Sequence, residues 1–147
     1  GAKSKYRYGL FSGEQLVAVA TFSGFKIVER ECPVESYEWV RYASLPDVRV
    51  VGGMGKLLGA FVKEVNPQEV MSYADLEWSD GDVYRKLGFQ EAELREPVEF
   101  YIDTTTWERI SVKKIHHDRT YKRRAFDDSA LVRIKNCGSL KYLKRYW

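Results

Sequence analysis

The chain has 147 residues, of which 44% are hydrophobic, enough for one domain with a buried core and too few to expect two. Its 24 basic and 21 acidic residues give a net charge of +3, which does not by itself identify a nucleic-acid-binding protein. Two distant cysteines, Cys32 and Cys137, exclude a disulfide framework and a zinc knuckle, and they indicate a reducing, cytoplasmic setting. No apolar stretch approaches the roughly 20 residues of a membrane span, so we expect no membrane partner.

The first third of the sequence predicts antiparallel strands. Two β-rich runs, residues 6–11 and 15–25, are joined by Ser12-Gly13-Glu14, which is a hairpin signal. An alternating, aromatic stretch over residues 37–43 predicts a further strand, with or without a bulge. Ser44-Leu45-Pro46-Asp47 then breaks the pattern.

Three glycines in four positions, Gly52, Gly53 and Gly55, come directly before Lys56. Glycine reaches positive φ cheaply and lets backbone N–H groups approach an anion, and a following helix adds partial positive charge. Apolar residues at helical spacing predict that helix, which Asn66-Pro67 closes. They are Leu57, Leu58, Phe61, Val62 and Val65. The turn is therefore a candidate phosphate cradle, and the alternative is a tight strand-to-helix turn without a ligand.

A buried strand is predicted over residues 70–74, completing a β-α-β unit. A polar loop over residues 75–81 follows it. The next residues, 82–86, predict a short helix that Gly88 stops.

The C-terminal third of the sequence reads as β-rich and basic. A strand over residues 100–102 begins after Pro97, and from Trp107 onward the pattern is β-like with basic insertions. Residues 131–135 alternate cleanly before Asn136-Cys137-Gly138 turns the chain. The whole sequence therefore predicts a mixed α/β fold.

The glycine turn and the segment Val83-Tyr84-Arg85-Lys86-Leu87-Gly88-Phe89 together resemble the Gcn5-related N-acetyltransferase (GNAT) superfamily, over roughly residues 6–102. In that superfamily, a glycine-rich turn between the fourth strand and the third helix holds the pyrophosphate of acetyl-coenzyme A (acetyl-CoA). A Tyr-x-x-x-Gly-Phe segment follows the fifth strand. The resemblance implies a single domain over residues 1–147, with a mostly antiparallel central sheet flanked by helices and a basic, β-rich extension over about residues 103–147.

The resemblance also implies acetyl-CoA as the cofactor, with these binding residues: Val50, Val51, Gly52, Gly53, Met54, Gly55 and Lys56. Val50 stands where the superfamily usually carries Arg or Gln, so the implied cradle relies on backbone N–H groups and the charge of Lys56.

The implied reaction is N-acyl transfer, in which the acceptor amine attacks the thioester directly in a ternary complex. By resemblance Tyr84 lies near the cofactor sulfur and is the candidate acid for the departing thiolate, a role typically worth about 10²–10⁴ in rate. The alternative is a core tyrosine on a short helix.

Asp75, Glu77 and Asp80 cluster beside Trp78 in the loop after the predicted fifth strand. Open α/β sheets usually bind ligands at this edge, so we name Asp75 and Trp78 as candidate residues for binding or deprotonating the acceptor. A solvated loop with a helix N-cap at Ser79 or Asp80 explains the same residues without chemistry.

Residues 73–89 also resemble a narrower, phage-associated branch of the superfamily, similar to the Mom-type proteins that modify adenine in DNA. With a nucleic-acid acceptor, the basic stretch over residues 113–124 would contact phosphates, and Tyr142 and Trp147 would be among the aromatics that stack on an extruded base. A solvated basic surface is the alternative. His116-His117 would point in different directions from a strand, so we predict no metal site.

Three functions remain after these observations. The first, which we favour, is an acyl-CoA-dependent N-acyltransferase acting on a small-molecule or protein amine. The second is a Mom-like enzyme that modifies nucleic acid. The third is a catalytically silent binding module with the acyl-CoA fold.

Overall fold

The computed structural model describes residues 2–118 and 130–147. The strands are β1 (Ser4–Ser12), β2 (Gln15–Ser23), β3 (Lys26–Glu29), β4 (Pro33–Ser44), β5 (Glu69–Asp75), β6 (Gln90–Arg95), β7 (Glu99–Asp103), β8 (Arg109–Ser111), β9 (Leu131–Lys135) and β10 (Ser139–Arg145). The helices are α1 (Gly53–Val65), α2 (Asp82–Lys86) and α3 (Val112–His117). Within these ranges no helix is long and apolar enough to cross a membrane.

Seven strands of the described chain form a large sheet in the order β1-β2-β4-β5-β10-β6, with β3 paired to β4. Its pairs are antiparallel except for β4 and β5, which run parallel where residues 36–38 lie opposite residues 69–71. The remaining strands, β7 to β9, form a three-stranded sheet. The prediction of a mixed, mostly antiparallel sheet is therefore confirmed.

The main core lies where α1 packs on one face of the large sheet. The buried ring of Phe61 stacks on that of Phe22, with centroids 4.0 Å apart, and the ring of Tyr37 meets its edge. Such aromatic pairs add about 0.5–1.5 kcal/mol each beyond their buried area. Asn66 then ends α1 in the left-handed conformation, with φ of 50°, as the Asn-Pro signal predicted.

A bulge in β4 lies close to the point where β4 and β5 separate. Thr21 pairs with Arg41 and Phe22 pairs with Trp39, which leaves Val40 as the extra residue. Beyond residue 38, β4 and β5 no longer pair in the described chain, and their C-terminal halves separate. The separation leaves a wedge between two neighbouring strands of one sheet.

Some elements differ from the sequence prediction. The strands β3 and β6 were not predicted, and every residue of β6 is exposed, so it lacks the alternation that marks a strand. The β-like interpretation of residues 112–117 is wrong, because they form α3, whose N-terminus is capped when Ser111 Oγ accepts the N–H of Lys114 at 3.2 Å. His116 and His117 therefore end a helix.

The C-terminal third divides between the two sheets. The segment from β7 through α3 to β9 is inserted in the chain between β6 and β10, whereas β10 lies in the large sheet between β5 and β6. Tyr142 of β10 is fully buried in the main core. The predicted basic stretch over residues 113–124 is described only as far as residue 118, and the rest of it lies outside the described residues.

Candidate active site

A cleft of about 690 Å³ occupies the wedge between β4 and β5. Trp39, Tyr42 and Tyr84 line it on the side of α1. The bulge at Val40 resets the alternation along β4, so Arg41 lies on the side opposite Tyr42, and Tyr73 of β5 lies on that side as well. The cleft is therefore lined by side chains from both faces of the sheet.

The glycine turn adopts a conformation that needs two of its glycines. Gly52 is the N-cap of α1 in the left-handed conformation, with φ of 66°. A Cβ atom on the buried Gly53 would lie 2.6 Å from Val50 Cγ1 and 2.7 Å from Tyr42 Oη. The backbone at Gly53 thus packs too closely against Val50 and Tyr42 to leave room for a side chain.

A cavity of about 370 Å³ lies at the N-terminus of α1, lined by Gly52, Gly53, Met54 and Gly55. The first backbone bond within α1 runs from Lys56 N–H to the Gly52 carbonyl at 3.0 Å, so the preceding three N–H groups have no partner inside the helix. No acidic side chain occupies the first turn. Unpaired donors and the helix dipole together favour an anion here.

The side chains near this cavity differ from the sequence expectation. Val50 lines the cavity and packs against the core, as predicted for a residue of the turn, whereas Val51 is 72% exposed and lines a neighbouring cavity together with Lys56. Among the residues that the structure describes, the cation that lines the cavity at the turn is Lys86 of α2. A hydrogen bond to Asp82, at 2.7 Å, raises the pKa of Lys86, so its ammonium group stays charged. The sequence analysis did not name Lys86 as a candidate phosphate-binding residue. The feature that could have indicated it is its position in the same short helix as Tyr84.

Tyr84 lines the cleft with its ring fixed from three sides. The ring stacks on Tyr142 at a centroid distance of 5.3 Å and meets Phe89 and Trp39 edge-on at 5.5 and 6.1 Å. The Oη atom of Tyr84 lies 2.9 Å from Oγ of Ser72. A phenol held this way presents one polar atom at a defined point of the cleft.

The loop before α2 is anchored to β10. Tyr142 donates its hydroxyl proton to the Asp80 carbonyl at 2.9 Å and accepts a hydrogen bond from Arg85 at 3.1 Å. Gly81, with φ of 78°, lies against the Tyr142 ring so closely that a Cβ atom would overlap it. Gly81 is also the N-cap of α2, so neither Ser79 nor Asp80 has the N-cap position considered from the sequence.

Asp75 and Trp78 both line the cleft, whereas Glu77 and Asp80 do not. An Asp75 carboxylate oxygen accepts the N–H of Glu77 at 3.0 Å, which turns the chain at the end of β5. The indole of Trp78 is 82% exposed at the mouth of the cleft. Glu38, which sequence reasoning missed, faces the same cleft from β4.

The structure thus places Tyr84, Asp75 and Trp78 around one cleft, and the glycine turn lines the adjoining cavity. The chemical roles of these residues stay predictions. Among the described residues, no group of three or more His, Cys, Asp or Glu side chains could hold a metal ion.

Comparison with known proteins gives a fold-level likeness. No family model and no curated protein sequence matches the chain. An acetyltransferase from Bacillus subtilis in complex with CoA superposes with a TM-score of 0.54 at 12% identity, covering 96% of this chain and 76% of that one. A GNAT family acetyltransferase from Elizabethkingia anophelis with acetyl-CoA bound gives a TM-score of 0.56 at 14% identity, covering 95% and 75%. The chain therefore has the fold of the GNAT acetyltransferases.

Proposed function

We propose that the protein is an acyl-CoA-dependent N-acyltransferase that transfers an acetyl group from acetyl-CoA to an amine. The observation that carries the proposal is that Tyr42 and Met54 line both the cleft and the cavity at the glycine turn. One elongated ligand can therefore bind its phosphates at α1 and extend to Tyr84. The CoA and acetyl-CoA bound to the two similar structures support this assignment.

The pyrophosphate of the cofactor is assigned to the backbone N–H groups of Gly53, Met54 and Gly55, with charge added by Lys86. Since the side chain of Val50 has no hydrogen-bond donor, the backbone is the main contributor to the proposed site. The pantetheine arm would lie along β4, whose edge towards β5 is unpaired beyond residue 38 in the described chain. Amide groups of the arm could then occupy the positions that a neighbouring strand would otherwise fill.

The proposed reaction begins when the neutral amine nitrogen of the acceptor attacks the thioester carbon. The C–N bond forms and the C–S bond breaks, and the electron pair of the broken bond goes to sulfur. Tyr84 gives its phenolic proton to the thiolate, and the proton lost by the acceptor nitrogen passes to water. Solvent then restores the proton of Tyr84.

The acceptor would enter from the sheet face opposite α1, where Asp75, Trp78 and Glu38 surround the opening. A carboxylate there can orient an N–H group of the acceptor, and the exposed indole provides a flat apolar surface.

Isothermal titration with acetyl-CoA tests the proposal, with acetylpantetheine as the matched ligand that lacks the pyrophosphate and the nucleotide. We expect acetyl-CoA to bind at least about tenfold more tightly, because the turn recognises phosphate. A thiol-release assay with a panel of amines then measures transfer. Absence of binding heat at millimolar acetyl-CoA would contradict the proposal, and binding without transfer would favour the silent binding module.

A nucleic-acid acceptor is the second candidate function, and one observation favours it. Lys3 just before β1 and Lys5 and Arg7 within it are exposed at alternating positions, and Arg41 of β4 is exposed beside the cleft. None of the four forms an ion pair with another described residue. A gel retardation assay at low and moderate salt tests this candidate, since phosphate contacts predict strongly salt-dependent binding. Absent or salt-independent binding would count against a Mom-like role.

A further inference from the structure

Ser72 is a buried hydroxyl at the base of the cleft. It lies on β5, is 1% exposed, and faces α2. Its Oγ atom is 2.9 Å from Oη of Tyr84 and 3.4 Å from the carbonyl oxygen of Trp39. Hydroxyl hydrogen bonds usually measure about 2.5–3.0 Å between oxygens, so the contact with Tyr84 is the stronger of the two.

The single proton of Ser72 has two possible acceptors, the hydroxyl of Tyr84 and the carbonyl of Trp39. If the proton pointed to Trp39, that bond would be long, and the proton of Tyr84 would be used to bond Ser72. If instead Ser72 donates to Tyr84, the same 2.9 Å contact is made with the phenol as acceptor, and the phenolic proton is available to a group in the cleft.

We propose that Ser72 is a positioning residue for the acyl transfer, and that it acts by donating its hydroxyl proton to Tyr84. The proposal rests on the proposed function, in which Tyr84 is the acid for the departing thiolate. The ring of Tyr84 is fixed by Tyr142, Phe89 and Trp39, so its hydroxyl can change direction only by rotation about the C–O bond. The bond from Ser72 occupies one side of the phenolic oxygen and leaves the O–H for the cofactor.

The same bond strengthens during the reaction. As the C–S bond breaks and its electron pair moves to sulfur, the phenolic proton moves to the thiolate and the Tyr84 oxygen gains negative charge. A hydrogen bond to a charged acceptor is stronger than one to a neutral acceptor. The contribution of Ser72 therefore belongs to the transition state more than to cofactor binding, and its removal should lower kcat and leave KM nearly unchanged.

A double-mutant cycle tests this inference. We expect Ser72→Ala to lower kcat about tenfold to a hundredfold, with the KM for acetyl-CoA changed less than about twofold. In a Tyr84→Phe background, Ser72→Ala should have no further effect, because the group through which it acts is gone. An equal loss of kcat in both backgrounds would overturn the proposal.

Thr21→Val is the matched control for the loss of a hydroxyl. The Oγ1 atom of Thr21 is buried and has no hydrogen-bond partner among the described residues. The substitution keeps the β-branched shape and removes only that hydroxyl, so kcat should stay within about twofold of its original value.

A second readout does not depend on turnover. In protein labelled with ¹³C at tyrosine Cζ, the resonance that Tyr84→Phe removes should shift in Ser72→Ala and stay in place in Thr21→Val. An unchanged resonance in a protein that transfers acetyl groups would overturn the role of Ser72 alone. Absence of transfer in the unaltered protein would instead overturn the proposed function, and the role of Ser72 with it.

Discussion

The two ends of the β4–β5 pair differ in how their polar groups are satisfied. At the end where the strands pair, the fully buried Glu69 carboxylate accepts two hydrogen bonds from Arg30, at 3.0 and 3.2 Å, and one from Ser36 at 2.7 Å. At the end where the strands separate, the edge of β4 and the phenol of Tyr84 face an open cleft. Two neighbouring strands thus provide a closed end that stabilises the sheet and an open end that is available to a ligand.

The paired segment of β4 and β5 and the candidate active site thus lie at opposite ends of the same two strands. Burial pushes the pKa of Glu69 upward, but the hydrogen bonds from Arg30 and Ser36 outweigh it and hold that pKa below its ordinary value of 4.5. The hydrogen bonding with Glu69 in turn raises the pKa of Arg30. Substitutions at the closed end should therefore change stability, and substitutions at the open end should change activity.

The largest effect is expected from Tyr84→Phe at the open end. Loss of the phenolic proton should lower kcat about 10²–10⁴-fold, because the thiolate must then leave without an acid. The ring contacts are kept, so the free energy of unfolding should change by less than about 1 kcal/mol. Steady-state kinetics and chemical denaturation measure the two quantities. Tyr101→Phe, a hydroxyl removal in β7, is the control, and an unchanged kcat in Tyr84→Phe would eliminate the proposed acid.

The next effect is expected from Arg30→Ala at the closed end. Removing one partner of a buried ion pair costs about 3–5 kcal/mol, since the other charge is left uncompensated. The matched control is Arg133→Ala, which breaks an exposed pair with Glu99 and should change stability little, because solvent screens that pair. Urea unfolding measures both, and similar losses in the two variants would contradict the contrast between the ends.

The same ion pair predicts a pH dependence. Because the pKa of Glu69 is lower in the folded protein than in the unfolded chain, its stabilisation is complete above about pH 4.5 and is lost as the pH falls through the lowered pKa. The difference in unfolding free energy between the original protein and Arg30→Ala should therefore be constant near neutral pH and shrink in acid. A difference that grows on acidification would show that Glu69 is not the charge involved.

A smaller effect is expected at the glycine turn. In Gly53→Ala the new Cβ atom meets Val50 at 2.6 Å, so we expect a loss of about 1–3 kcal/mol in stability and about tenfold weaker acetyl-CoA binding as the turn shifts. Gly59→Ala lies in the same helix where a Cβ atom meets open space, and it should stabilise the protein by up to about 1 kcal/mol. Equal effects of the two substitutions on binding would contradict the assignment of the turn.

The smallest effect is expected from Lys86→Ala. Its exposed ammonium group should contribute a two- to fivefold change in the KM for acetyl-CoA, roughly the range of an exposed ion pair, and the change should fade at high salt. Lys63→Ala, in the last turn of α1, removes an equal charge far from the N-terminal cavity and should leave KM unchanged. The same result for both lysines would exclude a specific role for Lys86.

Local patterns allowed much of the first two thirds of the chain to be predicted from the sequence. The hairpin at Gly13, the amphipathic α1 and its stop at Asn66 depend on neighbours a few residues away, and the structure confirms each of them. The strand β6 was missed because all its residues are exposed, so they show no alternation. The helix α3 was missed because six residues are too few to distinguish the periodicity of a helix from that of a strand.

The sequence identified several residues of the candidate active site, but it did not indicate how those residues are arranged in space. Tyr84 and the glycine turn stood out by motif, yet their contacts with Ser72, Tyr142 and Lys86 depend on how distant segments pack. The position of β10 between β5 and β6 also depends on distant segments, because the residue pattern of β10 does not indicate which strands it pairs with. Long-range pairing is a property of the folded chain that local propensities do not encode.

The position of β10 also bears on the order in which the protein can fold during its synthesis. In the described chain β6 pairs with β10 alone, and β10 follows the whole segment from β7 to β9. Until the ribosome has delivered residues 139–145, β6 has no partner, and the Tyr142 ring that supports Tyr84 is missing. Formation of the site is therefore a late event that depends on contacts between distant segments, which are slow to form and leave strand edges open to aggregation in the meantime.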